Sequence, residues 1–218
     1  NFDEEEIVKI ISNGFNFDRE SIIEIPRADF TKKVDEVKVI KEDMDITQGK
    51  LVMGFRCNVD YKDEFKYYSL FLGSNVLGGG PHSKLFVNVR EKESLCYYIY
   101  SSLEKYKTSM FIASGIESAN YDKTVTLIQE QLKHLKEGKI SEEELLNSKS
   151  AIISSLKSIK DSIGGASDFY FSQSMGQTNT TVEQIIEIIE KVTVKDIVEA
   201  VKNIELDTIY FLSNNKEA

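Results

Sequence analysis

Histidine and cysteine are scarce in this 218-residue chain, two of each, and that scarcity removes whole classes of chemistry. A hydrolytic zinc site draws about three ligands from His, Cys, Asp and Glu and commonly sets two of them on one helical face. Here His82 and His134 stand 52 residues apart, with neither an H-E-x-x-H nor an H-x-x-E-H pattern around them. His134, beside Lys133 and near Lys136 on a predicted helix, reads as a surface or packing residue, and His82, after Pro81, as a cap or a solvent-exposed side chain. No metal ligand set is expected. Cys57 and Cys96, 39 positions apart and outside any C-x-x-C pair, read as core thiols. The serines lack a G-x-S-x-G elbow, so a nucleophilic triad has no support. No apolar run approaches the about 18 residues of a spanning helix, and no basic-then-apolar leader opens the sequence. No membrane association is expected, and a cytoplasmic location is the default expectation. Lys and Arg number 27 against 36 Asp and Glu, net −9, and no basic cluster interrupts the acidity, so a nucleic-acid partner is not expected.

What is present is enough for one soluble domain: 41% hydrophobic and 29% charged residues, without repeats or low-complexity tracts. The first 50 residues hold 13 acidic and 8 basic groups, a net −5. Ile7, Ile10 and Ile11 recur at helical spacing behind an acidic first turn between Asp3 and Phe15, and Gly14 ends that helix. A charged connector containing Pro26 follows, with one short strand over Glu36 to Lys41. The chain starts at Asn1, not Met, so an excerpt of a longer protein is expected.

From Lys50 the pattern sharpens. Leu51, Met53, Phe55, Cys57 and Val59 alternate as a half-buried strand does. The spacing of Phe65, Tyr68, Leu72 and Val76 predicts a helix over Asp63 to Val76, broken by Gly78-Gly79-Gly80-Pro81. A second helix is predicted over His82 to Glu93, then a hairpin of Leu95 to Leu103 and Thr108 to Ile116 about a turn at Glu104 to Lys107. The remainder reads as helical: Tyr121 to Lys136, then a long helix from a Ser141/Glu144 capping box to Ile163, interrupted by Gly164-Gly165. A helix containing Phe169 to Phe171 and ending near Gly176 comes next, then two capped at Thr181 and Thr193, and a last strand over Thr208 to Leu212. Strands separated by helices in pairs, with one hairpin, predict an α+β layer with an antiparallel or mixed sheet.

The glycine run does not fit a Walker loop, since it follows a helix and Lys84 has the wrong spacing; a helix-to-helix corner accounts for the same letters. The block after it is more informative. Arg90, late in a predicted helix, and Tyr97, early in the next strand, can converge on one point, where a guanidinium and a phenol could hold a peptide carbonyl. The residues equally allow Arg90 to pair with Glu93 or with a helix end.

The glycine corner, the Ser83-Lys84-Leu85-Phe86 start and the Arg90-Glu91 to Leu95-Cys96-Tyr97 tail together resemble the metal-free half of the pitrilysin/insulinase (inverzincin) metallopeptidases, which include mitochondrial processing peptidase. The similarity extends over about Asp35 to Ser213, and small bacterial processing-peptidase-like members of the family are similar as well. The resemblance implies an αβ roll, one of two homologous halves enclosing a chamber. Residues 1–34 would then be the final helix of a preceding half plus a connector, and residues 35–218 the non-catalytic domain. It also implies that Arg90 and Tyr97 bind and orient substrate, Tyr97 donating to the scissile carbonyl oxygen. Gly78, Gly79 and Gly80 would be a short counterpart of a substrate-contacting glycine loop. Zinc would sit in a missing N-terminal half or a metal-bearing partner, possible dimerisation included, and this chain alone would cleave no peptide. The family also implies an alternative, a structural or assembly subunit that keeps the fold without the activity.

Overall fold

The computed structural model describes residues 3–15, 33–107 and 109–214; most of the predicted connector, Pro26 included, lies outside them. Helix α1, Glu4–Gly14, is capped by Asp3, whose carboxylate accepts from the Glu5 N–H at 3.0 Å. Its apolar residues Ile7, Val8, Ile10 and Ile11 are all exposed.

The chain then builds a five-stranded sheet. Strands β1 (Lys38–Met44), β2 (Gly49–Arg56), β3 (Cys96–Glu104), β4 (Ser109–Ile116) and β5 (Glu205–Asn214) lie in the order β1-β5-β2-β4-β3. Only β1 and β5 pair in parallel, so the sheet is mixed, and the predicted hairpin is β3 and β4. The period-2 alternation of β2 decides which face is covered: Leu51, Met53 and Phe55 are buried, and Lys50, Val52 and Gly54 face the other way. Each of those buried side chains contributes about 1.5–3 kcal/mol of apolar burial.

Helix α2 (Glu64–Gly78) crosses the centre of the covered face and is buried on nearly all sides, as an all-round apolar sequence requires. Around it pack α3 (Tyr121–Lys136), α6 (Val182–Lys191) and α7 (Val194–Val201), through Ile128, Leu132, Ile185, Ile189, Ile197 and Val201. All three predicted capping boxes, at Ser141, Thr181 and Thr193, are formed. Cys57 and Cys96 are buried free thiols.

Four local expectations are corrected. The single helix predicted over His82 to Glu93 is two α-helical residues followed by a π-helix, Phe86–Glu91, closed by Lys92 N–H to Val87 C=O at 3.1 Å. The long helix breaks before the glycines: α4 (Glu142–Ser158) tightens into a 3₁₀ turn over Ile159–Asp161. Ser162 is extended and caps α5 (Ile163–Gly176), its hydroxyl accepting from Gly165 N–H. The glycines therefore lie inside the first turn of α5, and Ile163 is 93% exposed instead of sharing the α4 face. The short strand near Glu36 starts at Lys38 and runs to Met44 because it pairs with β5 from Thr208 to Asn214, and the last strand starts earlier, at Glu205, because Glu205 and Leu206 pair with Arg56 and Phe55 of β2.

Candidate functional site

Gly78, the last residue of α2, fixes how the first part of the site is assembled. A Cβ there would lie 2.5 Å from the Ser101 N and 2.8 Å from its Oγ, so only glycine lets the helix end rest on β3. Ser101 locks the contact, its hydroxyl donating to the Ser74 C=O at 2.6 Å. The Asn75 side chain occupies the space a Gly79 side chain would need, and Gly80 is less crowded. Ser83 closes the corner through Oγ to the Gly80 C=O at 2.6 Å. His82 is thus half-buried, not a cap, and its Nε2 has no hydrogen-bond partner among the described residues. His134 is partly exposed, 3.8 Å from Glu130.

Lys84 anchors the corner to the helical layer. Its side chain, 8% exposed, donates to both carboxylate oxygens of Glu144 at 2.8 and 2.9 Å. The same carboxylate accepts the Ser141 N–H at 2.7 Å, so the α4 capping box and the ion pair share one group.

The π-helix then delivers Arg90 to the surface, its guanidinium 4.6 Å from the centre of the Phe86 ring. Ser94, left-handed at φ 53°, turns the chain into β3, where buried Leu95 and Cys96 pin it down. Cys96 is paired with Ile116 and Tyr98 with Gly115, leaving Tyr97 as the extra residue of a β-bulge. A bulge re-aims the side chain it carries, and Tyr97 stands 60% exposed with its hydroxyl 3.4 Å from a Glu117 carboxylate oxygen, to which it donates.

Arg90 and Tyr97 meet in one open pocket of about 400 Å³, lined also by Ser94, Leu95, Cys96, Glu117 and Asn120. The Glu93 alternative for Arg90 is not formed, because Glu93 pairs with Lys123 at 2.6 Å. Arg90 has no carboxylate within ion-pair reach among the described residues. Burial pushes the Cys96 thiol pKa up against the pull of the Ser114 hydrogen bond and the Arg90 charge, so this thiol is a packing group and not a nucleophile. A cation, a phenol and a carboxylate around one hollow can engage both the carbonyl and the N–H of an amide.

Glu117 and Asn120 were not singled out from sequence, although a signal existed. Counting the hairpin back from its turn sets the end of β4 opposite the start of β3, and Glu117 is the next residue. Gly78, Gly79 and Gly80 do not line the pocket. A larger hollow of about 510 Å³ lies elsewhere, by Glu64, Thr180, Gln184 and Lys191, where Thr180 already donates to Glu64. Among the described residues no group of three His, Cys, Asp or Glu is assembled to hold a metal, and no helix is long and apolar enough to cross a membrane.

Residues 1–152 match the family model described as the peptidase M16 inactive domain. The chain is 35% identical over 216 residues to the probable inactive metalloprotease YmfF of Bacillus subtilis, covering 99% of this chain and 50% of that protein. It is also 36% identical over 111 residues to an uncharacterized zinc protease of the same organism, YmxG, covering 50% of this chain and 27% of that one. Among solved structures, a conserved protein from Enterococcus faecalis superposes with a TM-score of 0.87 at 30% identity, over all of this chain and 51% of that one. The peptidase M16 inactive domain from Pseudomonas fluorescens gives 0.76 at 19% identity, over 98% of this chain and 51% of that one, which supports the fold. The chain thus spans about half the length of the YmfF and Enterococcus relatives. With the family model and the sheet, corner and helical layer in agreement, the chain belongs to the M16 peptidase family, as its inactive domain.

Proposed function

We propose that this chain is the C-terminal, non-catalytic half of a two-half peptidase-like protein, and that its Arg90/Tyr97 pocket holds a stretch of peptide backbone. The observation that carries the reading is the convergence of Arg90 and Tyr97, through a π-helix and a β-bulge, on one hollow. In this reading Tyr97 donates its hydroxyl proton to a peptide carbonyl oxygen, and its hydrogen bond strengthens as negative charge develops there. Arg90, lacking a carboxylate partner among the described residues, holds a second backbone carbonyl or steadies that phenol. Glu117 accepts the Tyr97 hydroxyl proton and, in this reading, accepts a peptide N–H when the phenol turns to the peptide carbonyl.

The described residues offer no ligand set for zinc, so a metal, which activates water and polarises a carbonyl, would belong to a preceding half or a partner subunit. Residues 1–34 would close that preceding half and lead into the unit beginning at residue 35. The exposed apolar face of α1 supports this boundary. A second reading, a structural or assembly subunit without turnover, is favoured by one observation: the B. subtilis relative at 35% identity is described as probably inactive.

The test uses the full-length polypeptide containing this chain, with any metal-bearing partner. Tyr97→Phe should lower kcat about a hundredfold while KM moves less than about threefold, because the lost hydrogen bond is worth most in the transition state. Unchanged turnover removes Tyr97 from the site. If the wild-type protein turns over no peptide but binds one, and Arg90→Ala weakens that binding, the subunit reading stands with the pocket retained.

A further inference from the structure

In a regular α-turn the Val87 C=O would accept from Glu91 N–H; in the π-helix it accepts instead from Lys92 N–H, at 3.1 Å. Such turns are rare and concentrate at functional sites. Closing this one to an α-turn would rotate Arg90 about the helix axis relative to the turn before it. The position of Arg90 therefore depends on whatever keeps the turn wide.

Asn88, half-buried within the π-helix, reaches out of it in two directions. Its Nδ2 donates to Gln131 Oε1 of α3 at 2.8 Å, and its Oδ1 accepts from Lys92 Nζ at 2.9 Å. An ammonium can only donate, so Lys92 fixes the amide oxygen on its own side and leaves the NH₂ facing Gln131. Lys92 is also the residue whose N–H closes the π turn. One side chain thus grips both the closing residue of the turn and the helical layer behind it.

Gln131 is the informative partner. It is 5% exposed and lies on the face of α3 that buries Ile128, Leu132 and Leu135. An amide in such a stripe costs stability unless its polar atoms are paired, a requirement that a leucine would not bring. The donor that pairs its oxygen comes from the turn that carries Arg90.

We infer that Asn88 is a positioning residue: through Gln131 and Lys92 it holds Phe86–Glu91 in the π register, and so holds Arg90 at the hollow it shares with Tyr97. The inference rests on the reading of the Arg90/Tyr97 pocket and adds the residue that sets one of its two arms. Asn88 does not line the pocket, so its effect runs through Arg90.

The test uses the full-length polypeptide and a short fluorescein-labelled peptide of alternating Leu and Ser, with binding followed by anisotropy. Asn88→Leu alone strands the Gln131 oxygen and should lower the Tm. The deciding variant is Asn88→Leu/Gln131→Leu, in which both partners become apolar and the Tm should stay near that of the wild type. Its peptide binding should nonetheless weaken about tenfold, as in Arg90→Ala. In the Arg90→Ala background the same two substitutions should add less than about twofold. The exchange Asn88→Gln/Gln131→Asn keeps the span between the two backbones and should restore binding. A crystal structure of the Asn88→Leu/Gln131→Leu protein should show the Val87 C=O accepting from Glu91 N–H and the Arg90 guanidinium withdrawn from the hollow. Where Arg90→Ala weakens binding, wild-type affinity in this double variant overturns the inference and leaves the pocket reading standing. A crystal structure with the π turn and Arg90 still in place does the same. A further loss in the Arg90→Ala background makes the amide pair a general packing contact and overturns the inference as well. Arg90→Ala without effect on binding, beside a withdrawn Arg90 in the crystal structure, overturns the pocket reading alone.

Discussion

Separating Lys84 from Glu144 should destabilise the domain more than deleting both partners. The Lys84 side chain is 8% exposed and Glu144 23%, with the ammonium donating to both carboxylate oxygens. Stripping a fully buried charge of its partner costs about 3–5 kcal/mol. In Lys84→Met the aliphatic stem is kept, and the remaining carboxylate retains some water and the Ser141 N–H, which lowers the expected loss to about 2–3 kcal/mol. Glu144→Leu strands the less exposed ammonium and removes the cap carboxylate, so about 3–4 kcal/mol is expected. In the double variant Lys84→Met/Glu144→Leu no charge is stranded, and the loss should be about 1 kcal/mol, mostly the capping box. Urea unfolding at neutral pH gives all three values, and the cycle should show a coupling of at least about 2 kcal/mol. Losses that simply add across the two sites would refute the claim that this pair clamps the glycine corner to α4.

Gly78→Ala forces a methyl against the Ser101 backbone and should cost about 1–3 kcal/mol, a fall in Tm of roughly 2–12 °C for a domain of this size; an unchanged Tm would show the helix end shifts freely. Alkaline stability should report on Cys57. Burial raises its thiol pKa from 9.0 to about 12, so its contribution is complete below pH 9 and is lost as pH climbs toward 12, because the unfolded chain ionises first. The full loss is about 4 kcal/mol. Tyr67 and Tyr68, likewise raised by burial, act in the same direction at higher pH. Cys57→Ala should therefore flatten the decline between pH 9 and 11 in urea titrations, and parallel curves for the two proteins would count against it.

The sequence displayed most of the fold where local chemistry and tertiary packing agree. Helix α3 matches its predicted span over Tyr121–Lys136 because stripe, length and the Gly138 stop all coincide. The misreadings are local, and each has its own physical cause. Ser162 ends the α4 region because its hydroxyl satisfies the Gly165 N–H, whereas the neighbouring glycines suggested the break by composition alone. The π-helix at Phe86–Glu91 leaves no mark in a pattern read at 3.6 residues per turn. The bulge at Tyr97 depends on how β3 meets β4 and cannot be read from β3 itself.

Those two irregularities are what bring Arg90 and Tyr97 together, and this explains why the residues alone left their convergence open. A regular helix and a regular ladder would place each side chain by its own period, with Tyr97 set by simple alternation against Tyr98. The extra residue instead leaves Tyr97 and Tyr98 both exposed, the first beside Glu117 at the pocket and the second over Gly115, where its ring occupies the space a Cβ would need. One inserted residue therefore gives the pocket its phenol while letting the Tyr98 ring lie over Gly115. Deleting Tyr97 should close the bulge, leave the pocket without a phenol and lower the Tm, whereas Tyr97→Phe should keep the bulge and the Tm and remove only the hydroxyl beside Glu117.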